Sequence, residues 1–148
     1  MGQIYAEIEL INAHDKELMK KRTIDKDEIR SMRVLAMVDT GFIYMAINEN
    51  IQQILQLPVV GKERSILANG QVVECDKVFP LEVRFENRTA HCSALVLPND
   101  SEPLLGAIPM EEMDVLINPK RQELIVNPQH PHYAITSLRT IPRTYPAT

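Results

Sequence analysis

The residues from Arg33 to Ile47 read RVLAMVDTGFIYMAI, and the ionisable Asp39 in their midst is the first group that could do chemistry. It follows the apolar run Val34 to Val38, and the chain turns apolar again at Phe42 after only Thr40 and Gly41. Taking a lone carboxylate out of water costs on the order of several kcal/mol unless it is paired, hydrogen-bonded or protonated. Gly41 permits a tight turn with close backbone approach, Thr40 supplies a hydroxyl that can brace a neighbour, and Asp39 would point from the turn into whatever lies above the strand end. Such a set suits acid–base work on a bound substrate. The plain alternative is ordinary turn formation, for which Asp-Thr-Gly is common in unrelated chains.

The elements that must hold this turn can be read on either side of it. QIYAEIELI alternates Ile4, Ala6, Ile8 and Leu10 with polar residues, the period of a strand with one buried face. His14 to Arg30 is rich in both charges and reads as a solvated hairpin connection, while MRVLAMV suits a strand buried on both faces. NENIQQILQL spaces Ile47, Ile51, Ile54 and Leu55 as a short amphipathic helix with Asn48 able to cap and Pro58 beyond its end. In ILANGQVV, Ile66 to Val73, the pair Asn69-Gly70 between strand-like runs predicts a projecting hairpin with a tight type I′ turn. VFPLEVRFEN and RTAHCSALVLP form a second hairpin around Asn87 and Arg88. Leu104-Leu105-Gly106 ends another buried strand, Ile108 to Val115 is a short helix beginning at Pro109, and QELIVNP is a last strand. The sum is an all-β domain, a closed barrel with one or two short helices.

The 148 residues suit one domain with its own core, here 1–128, followed by a proline-rich extended or disordered tail, 129–148. The formal net charge is -4, and the 16 Lys and Arg are scattered apart from Lys20, Lys21 and Arg22, so no nucleic-acid footprint is expected. The alternating start with Glu7 and Glu9 is neither a signal-peptide core nor a membrane span, which leads us to expect a cytosolic (cytoplasmic) protein without a membrane partner. Cys75 and Cys92 lie far from any C-x-x-C spacing and read as free thiols in strands. Neither they nor His14, His91, His130 and His132 form a metal-ligand pattern, so no metal or cofactor is expected.

An apolar run into Val38-Asp39-Thr40-Gly41, then an Asn-Gly hairpin, then Leu104-Leu105-Gly106 leading into a short helix, resembles the retropepsin-like aspartic proteases of clan AA. The tetrapeptide Asp39 to Phe42, Asp-Thr-Gly-Phe, and the late segment EPLLGAIPMEEMDVLINPKRQELIVNP are similar to a bacterial and archaeal branch of that clan. The likeness covers about Gly2 to Pro128 and implies a retropepsin-like acid-protease barrel with one lobe per chain. By this resemblance Asp39 is the catalytic carboxylate, the Thr40 hydroxyl joins the hydrogen bonds between two active-site turns, and Gly41 keeps the turn open. Substrate would lie against Phe42 and under a flap whose tip is Leu67, Ala68, Asn69 and Gly70. Leu104, Leu105 and Gly106 would support the turn from beneath, and the strands QIYAEIELI and ELIVN are candidates for a dimer sheet.

Aspartic proteases need two carboxylates about 3 Å apart sharing one proton, and this chain has one Asp-Thr-Gly and is too short for two lobes. The resemblance therefore implies a homodimer in which Asp39 meets its copy across a two-fold axis, and an aspartic endopeptidase acting on peptide or protein substrates. Two positions depart from the retroviral pattern. Phe42 stands where Ala or Ser is usual and would reshape the cleft, and Ala107 stands where Arg is common, removing a guanidinium near the interface. A different reading keeps the fold and the dimer but only binds peptides, by main-chain pairing without turnover. A metal-dependent hydrolase built on Asp39 with His91 or the tail histidines lacks any ligand spacing of known type.

Overall fold

A computed structural model describes residues 2–67 and 69–138. Nine strands alternate with three short α-helices and one 3-10 turn: β1 (Tyr5–Asn12), α1 (Ala13–Lys20), the 3-10 turn Lys26–Glu28, β2 (Ser31–Val38), β3 (Met45–Asn48), α2 (Glu49–Leu55), β4 (Val59–Ile66), β5 (Val72–Phe85), β6 (Arg88–Leu97), β7 (Leu104–Leu105), α3 (Ala107–Met113), β8 (Val115–Asn118) and β9 (Glu123–Val126). Seven of them form one sheet in the order β1-β2-β7-β3-β6-β5-β4, and a further β1–β5 pairing closes it, so that β4 alone stands outside the barrel. β8 and β9 make a separate two-stranded sheet. The domain is mostly β, as its alternating apolar pattern predicts. No helix among the described residues is long and apolar enough to cross a membrane.

The core fills the barrel. Ile8 and Leu10 from β1, Ala36 from β2, Met45 and Ile47 from β3, Leu81 and Val83 from β5, and Ala90 and Ala94 from β6 meet there, with Leu105, Met110 and Met113 below them. Burying a side chain such as Leu or Ile is worth roughly 1.5–3 kcal/mol each, which makes this interior the main support of the fold. A second, smaller cluster of Ala46, Cys75, Leu95 and Leu97 lies between the barrel wall and the β4–β5 hairpin, with Phe42, Tyr44, Val73 and Leu104 against it.

Four sequence expectations change. Residues 13–20 are helical rather than a solvated connection, because Asn12 in extended backbone caps them, its side chain accepting the Asp15 N–H, and because Ala13 and Asp15 are buried against the barrel. The helix count is thus three, not one or two. β2 is buried on one face only: Ser31, Arg33 and Leu35 face solvent, with Leu35 59 % exposed. VFPLEVRFEN is no strand of its own but the second half of the long β5, whose register with β6 shifts between Val78 and Leu81, at Pro80. Finally, α3 starts at Ala107 with Gly106 as its N-cap, two residues before Pro109.

The hairpin connection also differs. A two-residue type I′ turn at Asn69-Gly70 would close Ala68 against Gln71. Instead the Leu67 N–H donates to the Gln71 carbonyl (2.8 Å) and the Gly70 N–H to the Leu67 carbonyl (2.9 Å), a three-residue connection with Gly70 at φ +82°. Gly70 supplies the left-handed position that such a loop requires. Ala68 lies outside the described residues, as do residues 139–148 of the tail.

Candidate active site

Asp39 sits where β2 runs out, and two neighbouring segments, one at Ile4 and one from Pro103 to Leu105, fix the backbone there. The Asp39 N–H donates to the Leu105 carbonyl (2.9 Å), the Val38 N–H to Ile4 (2.8 Å) and the Met37 N–H to Pro103 (2.9 Å). β7 lies between β2, parallel to it through Met37↔Leu104 and Val38↔Leu105, and β3, antiparallel to it. The apolar residues on either side of the Asp-Thr-Gly turn are thereby bridged by Leu104 and Leu105, in keeping with the support that the resemblance implied for them.

The turn then closes on its own carboxylate. Asp39 Oδ1 accepts the Gly41 N–H (2.9 Å), and the Asp39 carbonyl accepts the Phe42 N–H (3.2 Å). A Cβ on Gly41 would stand 3.3 Å from that Oδ1, tighter than ordinary contact, so glycine here serves close approach. Oδ2 has no protein partner among the described residues. Asp39 is half-buried and Thr40 and Gly41 are exposed, so the acid sits at a surface of the single chain rather than in its core.

Beneath the turn, the start of α3 donates to the same loop: Ala107 N–H to the Phe42 carbonyl (2.7 Å) and Ile108 N–H to the Ile43 carbonyl (2.9 Å). Gly106 makes this possible, since a Cβ there would stand 1.9 Å from the Tyr44 carbonyl oxygen and 2.6 Å from that of Phe42. Its glycine is demanded by backbone contact, a requirement that sequence spacing alone does not show.

Phe42 and Tyr44 pack edge to face, ring centroids 6.5 Å apart, and join Val73 and Cys75 of the hairpin stem. The Lys77 ammonium of β5 lies 4.6 Å from the Tyr44 ring centre and 3.8 Å from Glu63 of β4. The stem of the hairpin is therefore attached to the Asp39 loop through Phe42 and Tyr44. Leu67, Asn69 and Gly70 at its tip bond only among themselves and to Gln71, and no described contact joins them to Asp39. Tyr44, Glu63 and Lys77 were not singled out in the sequence, because nothing local marks residues that meet only when β4–β5 folds over the loop.

On the other side of the turn, a groove of about 330 Å³ is lined by Thr40, Ala107, Met110, Glu111, Leu116 and Ile117 among others. Leu116 and Ile117 are 45 % and 36 % exposed, and among the described residues the only strand partner of β8 is β9. β1, the other candidate for a dimer sheet, is committed to the barrel: it pairs with β2 from Tyr5 to Ile11 and with β5 from Glu9 to Asn12.

Two of the four histidines, His91 and His130, are occupied elsewhere. His91 Nε2 lies 3.1 Å from Glu82, a buried carboxylate that also bonds Lys16 (2.9 Å) and Arg84 (2.7 Å). Burial pushes the Glu82 carboxyl up, but the hydrogen bonds from Lys16, His91 and Arg84 outweigh it and hold it below the ordinary value. His130 Nδ1 lies 2.5 Å from Asp114, which also accepts the Asn127 side-chain amide (3.0 Å) and the Ile135 N–H (3.1 Å). These bonds, the Asn127 one foremost, hold the Asp114 carboxyl at about 2. They also tie residues 127–135 to the domain, helped by Asn87 donating to the Pro131 carbonyl (2.8 Å), so this part of the tail has defined partners although it forms no helix or strand. Both cysteines are free and buried, and burial pushes the Cys92 thiol up to about 12.

No family model matches the sequence, and no curated protein matches it. Among solved structures, the chain is similar to the retroviral protease-like domain of Ddi1 from Leishmania major, with a TM-score of 0.55 and 13 % identity over 86 % of this chain and 90 % of that one. At that identity the likeness speaks for the fold alone. This chain has a retropepsin-like fold, mostly β with three short helices.

Proposed function

We propose that the protein is an aspartic endopeptidase whose reaction centre forms when two copies bring their Asp39 carboxylates together. The observation that carries this reading is the state of Asp39 in one chain: backbone fixed by Leu105, Oδ1 held by Gly41, and Oδ2 free at an exposed turn. Like charges so close cannot both ionise easily, so the pair would hold one proton and titrate as a unit. One carboxylate then takes a proton from a water that attacks the peptide carbonyl, while the protonated partner polarises the carbonyl oxygen and later protonates the leaving amine. Activity in the acidic range follows. The exposed surface beside Thr40, with the open β8–β9 hairpin, supports a second copy docking there, and the β4–β5 hairpin supports closure over a substrate whose side chains meet Phe42.

The test is digestion of casein or a peptide library across acidic to neutral pH by the natural chain and by Asp39→Asn, paired with sizing of both. We expect cleavage that is strongest in acid and lost in Asp39→Asn while the assembly persists. Cleavage that survives Asp39→Asn overturns the reading. Dimers that hold peptide without cutting it would instead identify a binding module.

A further inference from the structure

At the end of the barrel away from Asp39, a cleft of about 410 Å³ opens between α1 and the paired strands β5 and β6. β1 runs from Tyr5, opposite Met37 and so beside the Asp39 turn, to Asn12, opposite Leu81, where α1 begins. The length of that strand sets the cleft roughly 20 Å from Asp39. Its volume is in the range of small-molecule sites. We infer that this cleft binds a small organic anion, an oxyanion carried on an apolar body, the oxyanion taken up by Arg84 and Lys16 with Lys20 at the rim, and the body lying against Phe79. The site stands apart from the chemistry proposed for Asp39 and does not depend on it.

The buried Glu82 carboxylate organises the polar half of the cleft. Its Oε1 accepts from Lys16 (2.9 Å) and meets His91 Nε2 (3.1 Å), and its Oε2 accepts from Lys16 (3.1 Å) and from Arg84 Nε (2.7 Å). Both oxygens are thereby used, but the donors are not. Arg84 is held through Nε alone, which leaves both of its Nη groups, and Lys16 keeps a third N–H; neither side chain bonds another acceptor among the described residues. The lining carries three cations, Lys16, Lys20 and Arg84, against Glu17, which lies 3.4 Å from Lys20, and the already committed Glu82. Glu9, opposite Arg84 on β1, borders a separate hollow and makes no ion pair with it. Positive charge is thus in excess here, on a chain whose net charge is -4. The apolar half comes from an irregularity in β5. Between Val78, opposite Ala94, and Leu81, opposite Cys92, β5 carries Phe79 and Pro80 against the single Ser93. Such a bulge turns a side chain out of the ladder. Phe79, its N–H donating to the Pro58 carbonyl (3.0 Å), stands 43 % exposed on the cleft wall beside Pro80. A fixed guanidinium and ammonium with donors to spare, next to an exposed ring, match an oxyanion attached to an apolar body.

The experiment is a titration with phenyl phosphate, followed by backbone amide NMR shifts and by calorimetry, with inorganic phosphate and benzyl alcohol as its two halves. We expect saturable, sub-millimolar binding of phenyl phosphate, with shifts concentrated at Lys16, Phe79, Glu82, Arg84 and His91, and each half bound at least about tenfold more weakly. Phe79→Ala and Lys20→Gln change exposed side chains and should each weaken phenyl phosphate by about threefold to tenfold. Arg84→Gln, with its fold checked by circular dichroism, should abolish saturable binding, because the fork of donors is gone. Asp39→Asn should bind phenyl phosphate as the natural chain does, whatever happens to its cleavage of peptides. Shifts that do not saturate, inorganic phosphate binding as tightly as phenyl phosphate, or a dissociation constant unchanged in both Phe79→Ala and Lys20→Gln overturns the inference. Each of these results leaves the Asp39 reading untouched.

Discussion

Asp39 and Asp114 show two ways in which this chain keeps a carboxylate. Asp39 is left with an unused oxygen at the surface, whereas Asp114 spends both of its own: Oδ1 on the Asn127 amide, Oδ2 on His130 and the Ile135 N–H. Because its folded value, about 2, lies below the ordinary 3.8, Asp114 contributes stability that is fully present above about pH 4 and is lost as pH falls towards 2. The predicted consequence is that Asp114→Asn melts at a lower temperature than the natural chain at pH 6, with the gap narrowing between pH 4 and pH 2. Thermal melts across that range check it. Throughout the mildly acidic range in which the proposed protease would work, the anchor of residues 127–135 stays ionised.

Helix α1 is the element whose importance the charge pattern conceals. Its apolar content is small, and its place is set by Asn12, whose side chain both accepts the Asp15 N–H and donates to the Leu55 carbonyl (2.8 Å) at the end of α2. Asn12 is 1 % exposed, so its removal leaves a buried carbonyl unpartnered as well as a helix uncapped. We predict that Asn12→Ala costs roughly 1–3 kcal/mol, read as a lower midpoint in urea with an unchanged slope. Elements marked by period or by turn chemistry, such as β1, α2 and the 66–73 hairpin, were legible before any coordinates. α1 was not, since a cap and a buried Asp15 look locally like any charged loop; nor was the continuity of β5, since Pro80 interrupts the pattern without ending the strand.

At the scale of the whole molecule, a single chain carries one Asp39 turn, one β4–β5 hairpin and an exposed apolar groove. If a second copy covers that groove, a charge placed on its wall blocks assembly without harming the fold. Leu116 is the position to use, being 45 % exposed in the single chain. Leu116→Glu should retain its circular dichroism and melting temperature within a few degrees, yet size as a monomer at pH 7 and lose at least ten-fold in cleavage at low protein concentration. Unchanged sizing and activity would place the interface elsewhere.

What the sequence determined by itself was the repertoire: a strand-rich barrel from period-2 alternation, a candidate for chemistry at Asp39 from an acid among apolar residues, and a buried strand end at Leu104-Leu105-Gly106, whose supporting role only the family resemblance implied. Those signals are local, and local pattern is what sequence records. Tertiary structure alone decided that β7 runs between β2 and β3, that Gly106 must lack a side chain because the Phe42 and Tyr44 carbonyls press on it, and that Tyr44, Glu63 and Lys77 hang the hairpin stem on the Asp39 loop. It also put Glu111 into an apolar groove beside Thr40, although more than sixty residues separate the two in the chain. Contacts between residues so far apart arise from barrel closure, which brings strand ends together irrespective of their distance along the sequence.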